Sequence, residues 1–129
     1  GTSTSPYAHP ADVPQSINPT VVGTGSYLGG WSNVNYKLLK GDGKVIIDAA
    51  GSFGAVHRGA GVTYNESQGC KDIWFKNFAP IVLNAASVNS KFHFYECVFE
   101  NCTFGPLGAG TERMIGFRNI FYNCPFWTF

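Results

Sequence analysis

Residues 95–104, Tyr-Glu-Cys-Val-Phe-Glu-Asn-Cys-Thr-Phe, return 22 positions later as Phe-Arg-Asn-Ile-Phe-Tyr-Asn-Cys-Pro-Phe at 117–126. A unit of that length cannot bury its own apolar face, so it must stack on a neighbouring copy, as one tier of a solenoid does. Earlier copies fall into the same register. Lys44-Val-Ile-Ile-Asp-Ala follows the turn Gly41-Asp-Gly, and Asp72-Ile-Trp-Phe-Lys-Asn-Phe comes next. Aligned, Ile47, Phe75, Phe99 and Phe121 form one column, at steps of 28, 24 and 22 residues. Asn77, Asn101 and Asn123 form a second, and Phe78, Cys102 and Cys124 a third. Asparagine tolerates left-handed backbone and its amide can bond the amide of the next copy, so the second column predicts a ladder of turns.

Composition agrees with strands and turns. The 129 residues include 16 Gly and 7 Pro and are 44% hydrophobic, enough for one core and too few for two domains. The expected class is all-β, with a Gly/Pro/Ser-rich leader over 1–40 that attaches or drapes over the body, and stacked coils over 41–129. Within the leader, Thr20-Val-Val could add an edge strand. Extra residues in the longer copies must be looped out. The longest such stretch, 51–69, carries His57, Arg58, Tyr64 and Glu66, and long loops on a rigid scaffold often carry function. A second loop spans 105–113.

Formal charge is +1, and the nine Lys and Arg are scattered singly. Nothing resembles the basic stripe that tracks phosphates, which argues against nucleic acid. No apolar run reaches the ~20 residues of a spanning helix, and the first residues have neither a charged n-region nor an h-region. Four Cys at 70, 97, 102 and 124 have no zinc spacing, so no metal site is expected, and they read as small buried hydrophobes. No cofactor motif stands: Gly23-Thr-Gly-Ser-Tyr-Leu-Gly29 misplaces the third glycine of a dinucleotide fingerprint.

Val45-Ile-Ile-Asp48, Phe99-Glu-Asn-Cys-Thr-Phe104 and Phe121-Tyr-Asn-Cys-Pro-Phe126 resemble the right-handed parallel β-helices of the pectate-lyase-like superfamily. The leader followed by coils also looks like bacteriophage tailspike proteins of this fold. The resemblance covers 41–129. It implies coils of about 22–28 residues, a virion or extracellular location, and binding or cleavage of acidic polysaccharide. A five-residue rhythm at Cys97-Val-Phe-Glu-Asn is similar to pentapeptide repeats but fades elsewhere. The chain lacks the Asp-Asp pair of polygalacturonases and the Arg-x-Pro-x-x-Arg segment of pectate lyases, so no catalytic residue carries over. Whether the protein is an enzyme stays open.

The alignment itself offers candidates. Asp48, Lys76, Glu100 and Tyr122 share a column, and so do Asp72, Glu96 and Arg118. Charges stacked ~5 Å apart form salt-bridge ladders on a solvated sheet. Asp72 and Glu96 can alternatively act as a catalytic pair, one carboxyl raised by the other's charge. His57 and Arg58 could supply a base and an anion partner. Trp31, Tyr27, Tyr64 and Trp74 could serve as platforms for sugar rings, since flat aromatic faces accept them, and Trp31, His57, Arg58, Tyr64, Glu66 and Trp74 are the binding candidates. Trp74, Val98 and Ile120 should point outward and need a cover, and the C-terminal tier, rich in aromatics, should be open to further coils or another subunit. The expected partners are therefore polysaccharide and further copies of the chain, as a trimer or an end-to-end assembly. Three functions follow: a tailspike-type receptor-binding protein, a self-assembling extracellular subunit without catalysis, or a piece of a secreted polysaccharide lyase or hydrolase.

Overall fold

The structure, a computed structural model, describes residues 9–13, 20–29, 38–51, 54–58, 69–85, 90–104 and 111–125. A 3-10 turn at Pro10–Asp12 is the only helix among them. Ten strands follow: β1 (Thr20–Leu28), β2 (Leu38–Asp48), β3 (Gly54–Arg58), β4 (Gly69–Lys71), β5 (Trp74–Lys76), β6 (Ile81–Ala85), β7 (Ser90–Tyr95), β8 (Val98–Glu100), β9 (Thr111–Phe117) and β10 (Ile120–Tyr122). Every strand pairing is parallel.

The eight-stranded sheet runs β10-β8-β5-β2-β4-β7-β9, with β1 also on β2. It is an open, curled parallel sheet that turns through 272° about an axis, a β-solenoid-like arrangement. Its organiser is β2, whose Leu38–Lys40 end pairs with β4 and whose Ile46–Asp48 end pairs with β5. The chain therefore builds two stacks from one long strand, β4-β7-β9 and β5-β8-β10. Strands β3 and β6 form a separate parallel pair, and Phe104 bridges to Ile81 beside it.

The aligned columns are the register of this sheet. Ile47 pairs with Phe75, Phe75 with Phe99, and Phe99 with Phe121. Inside, the rings of Phe75 and Phe99 stack with centroids 5.3 Å apart, and those of Phe99 and Phe121 at 5.0 Å. Phe94 and Phe104 meet Phe99 edge-on, completing an aromatic core of the offset and T-shaped contacts that ring quadrupoles favour. Cys70, Cys97 and Cys102 fill the smaller interior spaces as free thiols, and Cys124 is half-buried.

Two bends per repeat turn the chain from one stack to the next. Asp72, Glu96 and Arg118 hold φ of 55°, 53° and 54°, and Asn77, Asn101 and Asn123 hold 56°, 56° and 51°. At the second bend the asparagine ladder is present. Asn123 donates to Asn101, Asn101 to Asn77 at 3.1 Å, and Asn77 to the Asp48 carboxylate at 2.9 Å.

Three details differ from expectation. Gly41-Asp-Gly43 is not a turn that precedes the first strand; it lies within β2, where five residues separate the pairing positions Lys40 and Ile46 against two between Lys71 and Trp74. Gly41 is required there, because a Cβ would sit 2.0 Å from the Asp72 carbonyl oxygen. The strand suggested by Thr20-Val-Val is longer, reaching Leu28 in pairing with β2. Part of the stretch 51–69 is strand rather than loop, since β3 takes up Gly54–Arg58, and β9 likewise begins at Thr111 inside the second expected loop.

Candidate functional site

The first bend creates the surface on which the charged candidates sit. Asp72 N–H donates to Tyr95 O at 3.1 Å and Glu96 N–H to Phe117 O at 2.9 Å, so each bend is pinned to the tier that follows. Asn119 braces the same corner. Its Oδ1 accepts from Cys97 N–H and its Nδ2 donates to Phe94 O, both at 2.9 Å. With the backbone so held, Asp72, Glu96 and Arg118 form a ridge, Asp72 half-buried and the other two exposed.

Grooves flank this ridge, and Glu96 borders both. On one side, Gly43, Lys44, Val45, Asp72, Trp74 and Val98 surround about 240 Å³. On the other, Lys71, Tyr95, Glu96 and Phe117 surround about 470 Å³. Asp72 and Glu96, the predicted acid/base pair, thus lie on successive tiers and line the first groove together with Trp74. That groove combines two carboxylates, an ammonium and an indole.

Trp74 belongs to the outward column Ile46, Trp74, Val98, Ile120, the last of which is 60% exposed. Its ring is not bare: Lys44 Nζ lies 5.6 Å from the ring centroid, a cation–π contact. The indole Nε1 is buried with no hydrogen-bond partner. An unsatisfied buried donor is costly.

The other charge column is structural. Lys76 Nζ and Glu100 Oε1 are 3.8 Å apart on adjacent strands, a half-buried pair at a distance that gives it small energetic weight. The Asp48 carboxyl is held below the usual carboxylate range by the Asn77 amide first, with Ala50 N–H and Lys76 adding to it against partial desolvation.

The remaining candidates separate from the ridge. His57 and Arg58 are on β3, in the second sheet, their backbones opposite Asn84 and Ala85. Trp31, Tyr64 and Glu66 lie outside the described residues. Sequence reasoning missed Lys71, Tyr95 and His93. Lys40, Lys71, Tyr95 and Phe117 form a column of their own, one position before the bend, and extending the alignment by that position would have revealed it.

The three buried thiols, Cys70, Cys97 and Cys102, are poor nucleophile candidates. Burial pushes Cys97 up to about 12 and Cys102 to about 11, and raises Cys70 well above the ordinary thiol value. Among the described residues no three His, Cys, Asp or Glu side chains are grouped to hold a metal ion. No helix there is long and apolar enough to cross a membrane. In comparisons with known proteins, no family model, no curated protein and no solved structure matches this chain.

Proposed function

We propose that this chain is the body of a right-handed parallel β-helix of the pectate-lyase-like type, built as in bacteriophage tailspikes, whose outer surface contacts a host's surface polysaccharide. In this reading 1–40 serves attachment and joins the coils of 41–129 through β1 and the Leu38–Lys40 end of β2, and the protein works on a virion or outside the cell. The curled all-parallel sheet with two left-handed bends per repeat supports the coil geometry. The observation that carries the function is the Asp72–Glu96 ridge with grooves on both sides, one walled by Trp74 and Lys44, the other by Tyr95, Phe117 and Lys71. Sugar rings stack on aromatic faces through C–H surface while their hydroxyls reach carboxylates and ammonium groups at the edges.

The test is affinity electrophoresis of the whole chain through gels containing acidic and neutral polysaccharides. Retardation by at least one glycan is expected, weakened about tenfold by Trp74→Ala, the ~1.4 kcal/mol of one lost stacking contact. Free migration in every gel would withdraw the reading.

A second reading, end-to-end self-assembly without glycan binding, draws on the edge strand β10. There Ile120, Phe121 and Tyr122 are exposed, Phe121 by 47% although it belongs to the core column. Sedimentation that shifts with protein concentration, in a chain that ignores glycans, would put this reading first.

A further inference from the structure

Two columns of outward side chains run through the sheet from its first layer to its last. One is Val21, Lys40, Lys71, Tyr95, Phe117, the other Leu28, Asp48, Lys76, Glu100, Tyr122. Both are polar in the middle layers, as a solvated sheet face should be, and both turn apolar at the two ends. Leu28 is 76% exposed and Tyr122 66%, and Val21 and Phe117 are exposed as well. With Ile120 and Phe121 they make up the exposed large apolar side chains among the described residues. All of these lie in the end layers, β1 on one side and β9 with β10 on the other.

A solenoid that stands alone does the reverse: its terminal repeats carry the polar face, and its edge strands carry charge, proline or a bulge that turns partners away. Among the described residues β1 pairs with β2 alone, β9 with β7 and β10 with β8, so each end layer has an edge that faces away from the sheet. The two ends also match each other. Laid on β9 and β10 in the parallel sense that every pair in the molecule uses, β1 of a second copy sets Val21 on Phe117, Ser26 on Ile120, Tyr27 on Phe121 and Leu28 on Tyr122. Each of these pairs continues a column that already runs through the chain, Tyr27 belonging to that of Ile47, Phe75, Phe99 and Phe121. Four residues lie between Val21 and Ser26 against two between Phe117 and Ile120, a smaller mismatch than the five against two that β2 absorbs with β4 and β5.

We propose that the two ends are the halves of one heterologous interface: β1 of a second copy of this chain adds to β9 and β10 of the first. The same step repeated gives an open head-to-tail filament rather than a closed dimer. This supplies the interface of the end-to-end reading above, on which it rests, and holds whether or not the outer surface takes glycan. Backbone hydrogen bonds of the added strand provide the adhesion. The apolar columns fix the register, because a slip of one residue would exchange the inward Tyr27 for the outward Leu28.

Sedimentation velocity of the full chain should show mass that grows with concentration. Leu28→Lys and Tyr122→Lys each put an ammonium group into one end layer, beside Asp48 or Glu100 of the same column, so both variants should melt as the wild type does. Each should weaken association ~100-fold or more, since docking would bury the new charge. Mixed together, the two variants have one intact end apiece and should form pairs and nothing larger. Undiminished association in Leu28→Lys alone, the result of a symmetric contact between two C-terminal edges, overturns the proposal and leaves self-assembly standing. So does a mixture that stays monomeric or grows beyond two chains. A wild-type chain that is monomeric at every concentration removes the end-to-end reading itself, and this interface with it.

Discussion

Asn101 offers a way to separate the ladder from the bend. Its amide bridges two tiers, donating to Asn77 Oδ1 at 3.1 Å and accepting from Asn123 Nδ2, while its φ is 56°. Replacement by alanine removes both hydrogen bonds, about 0.5 kcal/mol each at an exposed site. It also puts a Cβ with no compensating amide into left-handed backbone, at about 1 kcal/mol. Asn101→Ala should therefore cost about 2 kcal/mol. Asn101→Gly loses the same bonds without the steric penalty, and the greater freedom of its unfolded chain returns part of that gain. The glycine variant should be the more stable of the two, by about 0.5 kcal/mol or more. Urea denaturation of the three proteins, compared at equal m-value, measures both differences. An alanine variant as stable as the glycine variant would refute the bend argument, and wild-type stability in both would refute the ladder.

Phe99 is fully buried between Phe75 and Phe121, so Phe99→Ala should cost ~3–5 kcal/mol, whereas Phe121→Ala, at a ring 47% exposed, should cost about half as much. Equal midpoints in denaturant for the two variants would contradict the stacked column. Asp48 adds a pH dependence: its folded-state pKa is lowered, so its contribution is fully present above the ordinary carboxylate value of 3.8 and is lost as pH falls through the folded value. Melting temperature followed downward from about pH 5 should fall less steeply for Asp48→Asn than for wild type, and superimposable acid limbs would remove the assigned role.

What could be read from the chain is what repeats with its period. The Phe column, the asparagine ladder and the outward Trp74, Val98 and Ile120 need only a correct register, and one motif written twice supplies it. Elements outside that period were not legible. Gly54-Ala-Val-His-Arg58 has neither the β-branched run nor the alternation that marks a strand, and only its pairing with β6 makes it one. Asp48 was assigned to a charge column because strand register places it beside Lys76, while its carboxylate also ends the asparagine ladder one bend away. Side-chain reach, unlike backbone register, does not follow the repeat.

The first bend is the clearest case. Asparagine at the second bend announces left-handed backbone, but Glu96 and Arg118 do not, since neither residue type favours that region. Their φ values near 54° are imposed by the tiers around them, through the backbone bond to Phe117 and the fork of Asn119. A left-handed glutamate costs on the order of 1 kcal/mol or more that asparagine or glycine would largely avoid. Stability alone would have favoured a second asparagine ladder at this corner. The chain instead presents Asp72, Glu96 and Arg118 there, Asp72 on the first groove and Glu96 on both, and the penalty accepted at Glu96 is what the contact surface proposed above would account for.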